Sequence, residues 1–476
     1  MSVRPELPVL ALAPKPIEAA RPGVRPAAAL AEFATEDVVQ PSFHVWTLGC
    51  QMNASDSEEM AGALLAAGCA EAPSLEQADL IVINTCSIRE AAEQKVIGRM
   101  GVLHGLKDSN PRLRVVLTGC SVRADNEGVL QRRYPAVDLF LRPDEEPELT
   151  ARLGLLGPTA PGALAGPRAS VELAVPAFQR VGRSVAAVAD RLPGSRAAAV
   201  EEGHIARGRG VRAWLPIIYG CDKTCTYCIV PFARGPERSR PFDDILAEAA
   251  SLAADGCREI TLLGQNVNSW GHDLPPDPRF ADVTGQRALG RRQARDGRPD
   301  IAALLRAIDG LRDEGGSPRV PRLRFVTSHP WDLTERLIAA MAECPSVCEH
   351  LHLPVQSGDD DVLRRMGRQY SVAAYLDLVG RLRAAVPGIS LTTDVIVGFC
   401  NETEAQFGAT LALLAEVRFD QVFAAAYSPR PGTPAMRLAD DVPAGEKRRR
   451  LNVLLDLQES IGRELNAAWL GRRAEV

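Results

Sequence analysis

Short apolar runs alternate with helix-like segments in the first patterned stretch of the chain. The predicted strands are residues 43–47, 79–84 and 113–117. The second run is apolar throughout its middle (Leu-Ile-Val-Ile), which is typical of a strand buried on both faces of a parallel sheet. Helices are predicted at 53–67, with Ser55 or Asp56 near its start, and at 89–104. This alternation predicts an α/β domain built on a doubly wound parallel sheet.

A second stretch offers six further apolar runs at roughly even intervals, with helical segments between them. The six predicted strands are 214–219, 259–263, 322–327, 350–354, 390–397 and 421–426. Six strand–helix units fit an open, six-stranded partial (β/α) barrel. In barrels of this kind the chemistry lies at the carboxyl ends of the strands. Those ends are polar or glycine-rich here.

Composition shifts divide the remaining chain. Residues 1–40 are rich in Pro and Ala and predict a disordered arm, and residues 151–210 predict a linker with a short strand around 171–175. The two domains then cover 41–150 and 211–440. A solvated insertion is expected at 272–300 and a terminal helix at 446–469. The segment 441–476 is interpreted as this helix followed by the first strand, 471–476, of a truncated domain.

Composition places the chain among globular proteins without a membrane span. Of its 476 residues 46% are hydrophobic and 24% charged, and no apolar run approaches the roughly 20 residues that a spanning helix needs. The 11 cysteines are scattered and follow no secretory pattern, so reduced, metal-binding thiols in the cytoplasm are expected. A net charge of −5 gives no hint of nucleic acid, so an RNA partner would need a local basic footprint.

Three cysteines far apart in sequence follow the ends of three predicted strands. Cys50, Cys86 and Cys120 each lie just past an apolar run of the first domain. Because the carboxyl ends of parallel strands share one edge, the three thiols should meet there. Any one of them alone could be a buried small hydrophobe. Five other cysteines are interpreted as buried small hydrophobes without a metal: Cys69, Cys257, Cys344, Cys348 and Cys400.

Cys221, Cys225 and Cys228 lie in one loop directly after the predicted strand 214–219. Soft thiolate ligands select zinc, copper(I) or an iron–sulfur cluster. A closed zinc site needs a fourth ligand, and no paired Cys or His follows at short range. Three cysteines on a four-iron cluster leave one iron open to a small molecule. The spacing therefore favours a cluster over a zinc knuckle with a distant fourth ligand.

At this loop the sequence resembles the radical S-adenosylmethionine (SAM) superfamily. Cys-Thr-Tyr-Cys-Ile-Val-Pro-Phe-Ala-Arg-Gly, followed by Glu237-Arg-Ser-Arg240, looks like the methylthiotransferases, which insert sulfur and a methyl group at an unactivated carbon. Leu-Gly-Cys-Gln-Met-Asn and Asn-Thr-Cys-Ser-Ile-Arg match the family's amino-terminal motifs. Thr-Gly-Cys120-Ser-Val-Arg departs from the commoner form but keeps its cysteine.

The resemblance implies a fold of the radical SAM type and two [4Fe–4S] clusters. The loop cysteines would be catalytic, holding the cluster that cleaves SAM to a deoxyadenosyl radical. The three amino-terminal cysteines would hold a second cluster carrying the sulfur. One SAM would methylate that sulfur, and a second would supply the radical that abstracts hydrogen.

Further site residues follow from the same resemblance. Gly264, Gln265 and Asn266 match the position that holds the SAM amino group; without the resemblance, a polar barrel rim would explain them equally well. Two weaker candidates for SAM or substrate contacts are Ser328 and Gln356. Three arginines could hold substrate phosphate or form ordinary surface salt bridges: Arg234, Arg238 and Arg240. In the fifth-strand motif the family has Pro-Gly where this chain has Cys400-Asn401, which puts the local turn in doubt.

Within the family the motifs look like the branch that acts on tRNA carrying N6-isopentenyladenosine beside the anticodon. The runner-up is methylthiolation of threonylcarbamoyladenosine, and the alternative from another class is a non-catalytic, metal-bound RNA-binding module. A monomer is expected, served by a sulfur donor and by a reductase or flavodoxin-type electron donor. The truncated domain would be a small tRNA-binding β-barrel, so that the remaining basic footprint would be the three arginines and residues 447–450.

Overall fold

The computed structural model describes residues 41–86, 90–123, 125–155, 210–283, 286–287, 292–293 and 297–473. Three parts of the chain lie outside the described residues: the predicted arm at 1–40, most of the linker at 151–210 with its strand near 171–175, and residues 474–476. Gly471–Arg473, the described part of the expected last strand, form a turn and irregular chain.

The first domain is a five-stranded, fully parallel sheet. Its elements are β1 Ser42–Leu48, α1 Gln51–Ala66, β2 Ala70–Glu71, β3 Leu80–Thr85, α2 Glu90–Ser109, β4 Arg114–Gly119, α3 Glu127–Arg133, β5 Leu139–Phe140 and α4 Leu149–Arg152. The strand order is β2-β1-β3-β4-β5. The predicted doubly wound sheet is confirmed.

Alternation along β3 explains why helices cover both faces of this sheet. Ile81 and Ile83 lie in a core with Val96 and Leu103 of α2, whereas Leu80 and Val82 lie in a core with α1 side chains. Successive side chains of a strand point to opposite faces, so an unbroken apolar strand needs a layer on each side. The strand ends are then left as the open edge of the domain.

The second domain follows at residue 212. Its elements are β6 Arg212–Pro216, β7 Ile218–Tyr219, α5 Val230–Arg234, β8 Arg238–Ser239, α6 Phe242–Ala254, β9 Glu259–Leu263, β10 Gln286–Arg287, β11 Arg292–Gln293, α7 Ile301–Asp309, β12 Arg322–Phe325, α8 Glu335–Glu343, β13 His350–His352, α9 Asp360–Arg365, α10 Val372–Ala385, β14 Ser390–Val397, α11 Glu404–Val417, β15 Gln421–Ala426 and α12 Ala444–Ala467.

Six parallel strands form the predicted partial barrel. β6, β9 and β12 pair as one sheet and β13, β14 and β15 as another. The two sheets are joined where Leu323 of β12 pairs with Val347, since Leu323 N donates to the Ser346 carbonyl at 2.6 Å. The barrel core is one continuous apolar cluster, which includes Leu454 of α12.

Two local expectations for the second domain were wrong. The run 214–219 is not one strand, because Pro216 ends β6 and β7 turns to pair antiparallel with β8; proline has no N–H to continue a ladder. The insertion at 272–300 is not wholly solvated. Its Phe280 and Val283 are buried, and Phe280 packs edge-on against Phe242 of α6 at 5.0 Å between ring centroids.

The domains contact each other through α1. Tyr219 Oη of β7 donates to Glu59 of α1 at 3.3 Å. Among the helices of the described ranges, none is long and apolar enough to cross a membrane.

Candidate active site

The loop with Cys221, Cys225 and Cys228 follows β7 and needs glycine at its start. Gly220 has a φ of +77°, and a Cβ there would lie 2.0 Å from the Pro236 carbonyl oxygen. Only glycine adopts this conformation freely. Its amide donates to Gln265 Oε1 at 2.7 Å. The first cysteine is thereby fixed by the end of β9 as well as by its own strand.

A second segment, residues 365–368, holds the middle of this loop. Thr226 N donates to the Met366 carbonyl at 2.9 Å, and Thr226 Oγ1 donates to the Arg365 carbonyl at 2.8 Å. Gly367 has a φ of +73°, and a Cβ there would lie 2.5 Å from the Thr224 carbonyl oxygen. The segment can approach the loop this closely because position 367 carries no side chain.

The three loop thiols are near enough for their charges to act on one another, with Cys221 buried and Cys225 and Cys228 half-buried. Burial is the main cause that raises the pKa of Cys221 and of Cys228, the latter to about 12. The charges of Cys225 and Cys228 raise the pKa of Cys221 further, and those of Cys225 and Cys120 raise the pKa of Cys228 further. Thiols that hold their protons this firmly release them when a metal binds, because the metal ligand is the thiolate. Three soft donors on one loop fit a four-iron cluster with one open iron.

The three amino-terminal cysteines meet at the sheet edge, as their positions after strands predicted. Cys50 is the N-cap of α1, Cys86 follows β3 and Cys120 follows β4. A Cβ on Gly49 would lie 3.0 Å from Cys86 Cβ, so this loop passes directly over the end of β3. Burial raises the pKa of Cys120 to about 11, and the charges of Cys86 and Cys50 add to this.

Buried amides position Cys50 and Cys86. Asn53 Oδ1 accepts from the Cys50 amide at 3.2 Å, and Asn53 Nδ2 donates to Asn84 Oδ1 at 2.7 Å. Asn84 Nδ2 returns a bond to the Asn53 carbonyl at 2.9 Å. This pair ties the start of α1 to the end of β3. Helix α1 begins at Gln51, earlier than predicted, with Cys50 rather than Ser55 or Asp56 at its N-cap, and the Asn53 side chain accepts from the N-cap amide.

Asp56 instead forms a buried ion pair across the domain boundary. Arg234 Nη2 lies 2.6 Å from Asp56 Oδ2, with both side chains 4% exposed. Arg234 Nε donates to Cys120 Sγ at 3.2 Å. Because Arg234 ends α5, which begins two residues after Cys228, the two cysteine trios adjoin one another.

A half-buried residue, Glu146, completes this network with its carboxyl. Thr118 Oγ1 donates to Glu146 Oε1 at 2.7 Å. Burial raises the pKa of Glu146 to about 8, Asp56 raises it further, and Arg234 opposes the shift. No sequence motif pointed to Glu146 or to the Arg234–Asp56 pair.

The ends of three barrel strands carry buried polar atoms without a hydrogen-bond partner in the described chain. They are Asn266 Oδ1, Ser328 Oγ and Gln356 Oε1, on residues that are 1%, 3% and 6% exposed. Gln356 also has a φ of +73°, which is uncommon for a residue with a side chain. Buried polar groups are normally satisfied, so these atoms fit a polar ligand such as SAM.

The neighbouring candidates Gly264 and Gln265 have structural contacts. A Cβ on Gly264 would lie 2.3 Å from Ile218 Cγ2. Gln265 Oε1 is the acceptor for Gly220 N described above. Both residues position the cysteine loop.

Polar side chains beside the loop form a mixed cluster. Lys223, between the first two loop cysteines, lies 2.6 Å from Asp332 Oδ2, to which Asn266 Nδ2 also donates at 2.6 Å. Glu237 is buried next to them, and burial raises its pKa. The cluster places positive and negative groups beside the loop and the end of β9.

Two of the three arginines proposed for phosphate are in the wrong place for that role. Arg234 and Arg240 are each 6% exposed, and Arg240 pairs with Asp244 and Glu248 at 2.5 and 2.7 Å. Their charges are neutralised inside the protein, whereas Arg238 is exposed. The basic run at the start of α12 is not a simple solvated face either. Its Lys447 and Arg450 are buried, and Arg450 pairs with Glu402 at 2.8 Å.

The turn with Cys400 and Asn401 contains a left-handed residue without using glycine. Asn401 has a φ of +59°, so asparagine takes the left-handed conformation that glycine adopts more easily. Cys400 is buried in a small apolar cluster with Phe399 and Tyr427.

Comparison with known proteins places this geometry in a family. Residues 215–414 match the Radical SAM superfamily and residues 42–142 match Uncharacterized protein family UPF0004. The tRNA-2-methylthio-N(6)-dimethylallyladenosine synthase of Roseiflexus sp. (strain RS-1) is 41% identical over 91% of this chain and 79% of its own length. The synthase of the same name from Carboxydothermus hydrogenoformans is 41% identical over 92% and 88%. The chain belongs to this synthase family.

The family membership establishes the reaction class. This synthase-family member is a radical SAM tRNA methylthiotransferase that uses SAM and [4Fe–4S] clusters. Because the relatives are dimethylallyladenosine synthases, the isopentenyl branch is confirmed over the threonylcarbamoyl branch and over a non-catalytic module.

Solved structures support the fold. The radical SAM methyltransferase TsrM from Kitasatospora setae aligns with a TM-score of 0.54 at 14% identity, covering 89% of each chain. A second structure of the same enzyme aligns with a TM-score of 0.53 at 16% identity, covering 83% of this chain and 77% of that one. At this identity the likeness concerns architecture alone, and it confirms the expected radical SAM fold.

Proposed function

We propose that the synthase works with two clusters held in adjoining sites. The loop cysteines hold the cluster that binds SAM, and Cys50, Cys86 and Cys120 hold the second cluster. The observation that carries this proposal is the contact of Arg234 with Cys120 at 3.2 Å, since Arg234 lies only six residues after Cys228. A sulfur carried on one side of this boundary is then near a radical formed on the other.

When bound, the clusters and SAM supply the electron, the radical, the methyl group and the sulfur. The protein supplies position. Residues 365–368 and Gln265 hold the cysteine loop in one conformation, and the Asn53–Asn84 pair holds the other cysteine site. The unpaired polar atoms of Asn266, Ser328 and Gln356 at the strand ends receive polar groups of SAM. Their burial keeps water from competing.

The substrate is tRNA whose adenosine next to the anticodon already carries the isopentenyl group, and C2 of that base receives the methylthio group. An apolar prenyl tail adds about 0.8 kcal/mol of binding per buried CH₂ if a pocket receives it. Of the three candidate arginines, Arg238 is the exposed one and would contact a tRNA phosphate. We further propose a cytoplasmic monomer, divided at residues 41–150, 211–440 and 441–476, which depends on a separate sulfur donor and on a reductase or flavodoxin-type electron donor.

The test combines tRNA analysis with cluster chemistry. A strain lacking this gene should accumulate isopentenyladenosine in its tRNA, and the intact gene should restore the methylthiolated nucleoside, as measured by mass spectrometry. The triple variant C221A/C225A/C228A should lose SAM cleavage but keep one cluster. The triple variant C50A/C86A/C120A should keep SAM cleavage and lose methylthiolation. Loss of both signals in either folded variant would contradict separate roles for the two sites.

A further inference from the structure

Five arginines are buried in the described chain, and they differ in their counter-ions. Arg123 pairs with Asp125, Arg234 with Asp56, Arg240 with Asp244 and Arg450 with Glu402. Arg368 is 6% exposed, and no described carboxylate lies within ion-pair distance of it. A buried charge left without a partner is strongly destabilising. The anion that balances Arg368 must therefore be something other than a carboxylate of the described chain.

The contacts of Arg368 leave one of its nitrogens directed at the cysteine loop. Nη2 donates to the Pro354 carbonyl at 2.7 Å and Nε donates to Tyr370 Oη at 2.9 Å. The guanidinium also lies 5.2 Å from the centre of the Tyr370 ring. Nη1 reaches Cys225 Sγ at 3.5 Å. A carbonyl and a tyrosine hydroxyl thus fix the orientation of the side chain, and its remaining nitrogen contacts the sulfur of a loop cysteine.

The backbone around Arg368 holds this contact in place. Residue 368 follows Gly367, whose missing side chain lets the segment pack against Thr224. Thr226, the residue after Cys225, is bonded to Met366 and to Arg365. These bonds tie the backbone next to Arg368 to the backbone next to Cys225.

We propose that Arg368 is a positioning residue whose counter-ion is the cluster on Cys221, Cys225 and Cys228. A [4Fe–4S]²⁺ core with three thiolate ligands carries one net negative charge, and reduction adds a second. A charge-assisted N–H···S bond at Cys225 stabilises the more negative, reduced state more than the oxidised state. Arg368 therefore raises the reduction potential of this cluster and makes it easier to reduce. This inference rests on the proposed assignment of the loop cysteines.

The test measures the potential of this cluster alone, in full-length protein lacking Cys50, Cys86 and Cys120. Redox titration followed by electron paramagnetic resonance is run without SAM on R368M, R368K and the matched control R364M. Arg364 is an exposed arginine four residues away, paired with Asp361. If loss of the guanidinium shifts the equilibrium between oxidised and reduced cluster about tenfold, R368M lowers the potential by about 59 mV for a one-electron step. R368K should fall between R368M and the control.

Three outcomes would contradict a role of Arg368 in setting the potential of the loop cluster. A potential in R368M equal to that of R364M overturns it. If the potential is unchanged but the dissociation constant for SAM rises, Arg368 serves the SAM carboxylate and the inference is again wrong. If R368M takes up no cluster, the reduction potential of R368K is used instead, because R368K keeps the charge but loses the planar donor geometry. A potential in R368K equal to that of R364M overturns the inference. If the parent variant with Arg368 intact holds no cluster, the cysteine assignment itself fails instead.

Discussion

The buried pair between Arg234 and Asp56 leads to an asymmetric prediction about stability. Arg234 has two carboxyls near it, Asp56 at 2.6 Å and Glu146, whose charge also acts on it. If Arg234→Met removes the cation, Asp56 is left charged and buried without its partner. If Asp56→Asn removes the anion, Glu146 can ionise and replace it. We therefore expect R234M to be the more damaging change, although both break the same pair.

The magnitudes follow from that difference. Removing one partner of a buried ion pair costs about 3–5 kcal/mol, which we expect for R234M. For D56N the loss is closer to that of one charge-assisted hydrogen bond, about 1.5–3 kcal/mol. The double variant should cost less than the sum of the two, because the residues are coupled. Exposed Arg364 and Asp361 supply controls, R364M and D361N, expected to change stability by less than about 1 kcal/mol.

Hydrogen exchange of full-length, cluster-loaded protein, read by mass spectrometry on peptides covering α1, β4 and α5, measures these costs. R234M should raise the exchange of those peptides by about a hundredfold or more, and D56N by about tenfold, at 1.4 kcal/mol per tenfold change. If D56N exchanged as fast as R234M, Glu146 would not be replacing Asp56, and the reasoning would be refuted.

The remaining predictions concern Glu146, Gly220 and the strand-end polar atoms. The pKa of Glu146 is raised to about 8 from an ordinary value of 4.5, so the folded state binds this proton more tightly than the unfolded state. The stability that the bound proton contributes is therefore lost as pH rises from about 4.5 to about 8. In urea unfolding, E146Q should match wild type at about pH 5 and be more stable than wild type at about pH 8.5. Gly220→Ala should displace the cysteine loop and sharply reduce iron uptake at the loop cysteines, measured in the C50A/C86A/C120A background. The control G408A, whose added Cβ meets nothing within 4 Å, should not reduce it. Equal iron content in the two variants would refute the steric argument. Ser328→Ala should weaken SAM binding by about three- to tenfold, while S346A, which removes another unpaired buried hydroxyl just before β13, should leave the SAM dissociation constant unchanged.

The parts of the site that repeat a simple pattern could be predicted from the sequence. Cys50, Cys86 and Cys120 follow strands, and parallel strands end at one edge, so the sheet topology alone brings them together. The loop cysteines are close in sequence and need no fold to make them neighbours. The six strands of the partial barrel could be expected from their roughly even spacing along the chain.

The partners of the charged side chains could not be predicted in this way. Arg234 and Asp56 are 178 positions apart, and they meet because two domains dock, which no local periodicity encodes. The amide Gln265 was expected to contact SAM, but the left-handed turn at Gly220 leaves a backbone N–H that needs an acceptor, and Gln265 supplies it. The chemistry of a side chain limits which groups it can bind. Which of those groups lies next to it is decided by the tertiary fold.

One short segment relates the two cysteine sites to each other. α5 is a helix of five residues, so its ends lie only about 6 Å apart along the axis. Cys228 lies just before the helix, and Arg234 at its end bonds to Cys120 of the other domain. A change in the tilt of α5 would therefore move the loop cysteines relative to the amino-terminal ones. If the two cysteine sites hold the clusters as proposed, sulfur and radical must reach the same base carbon, and we expect the buried contacts of Arg234 to keep the distance between the two sites constant.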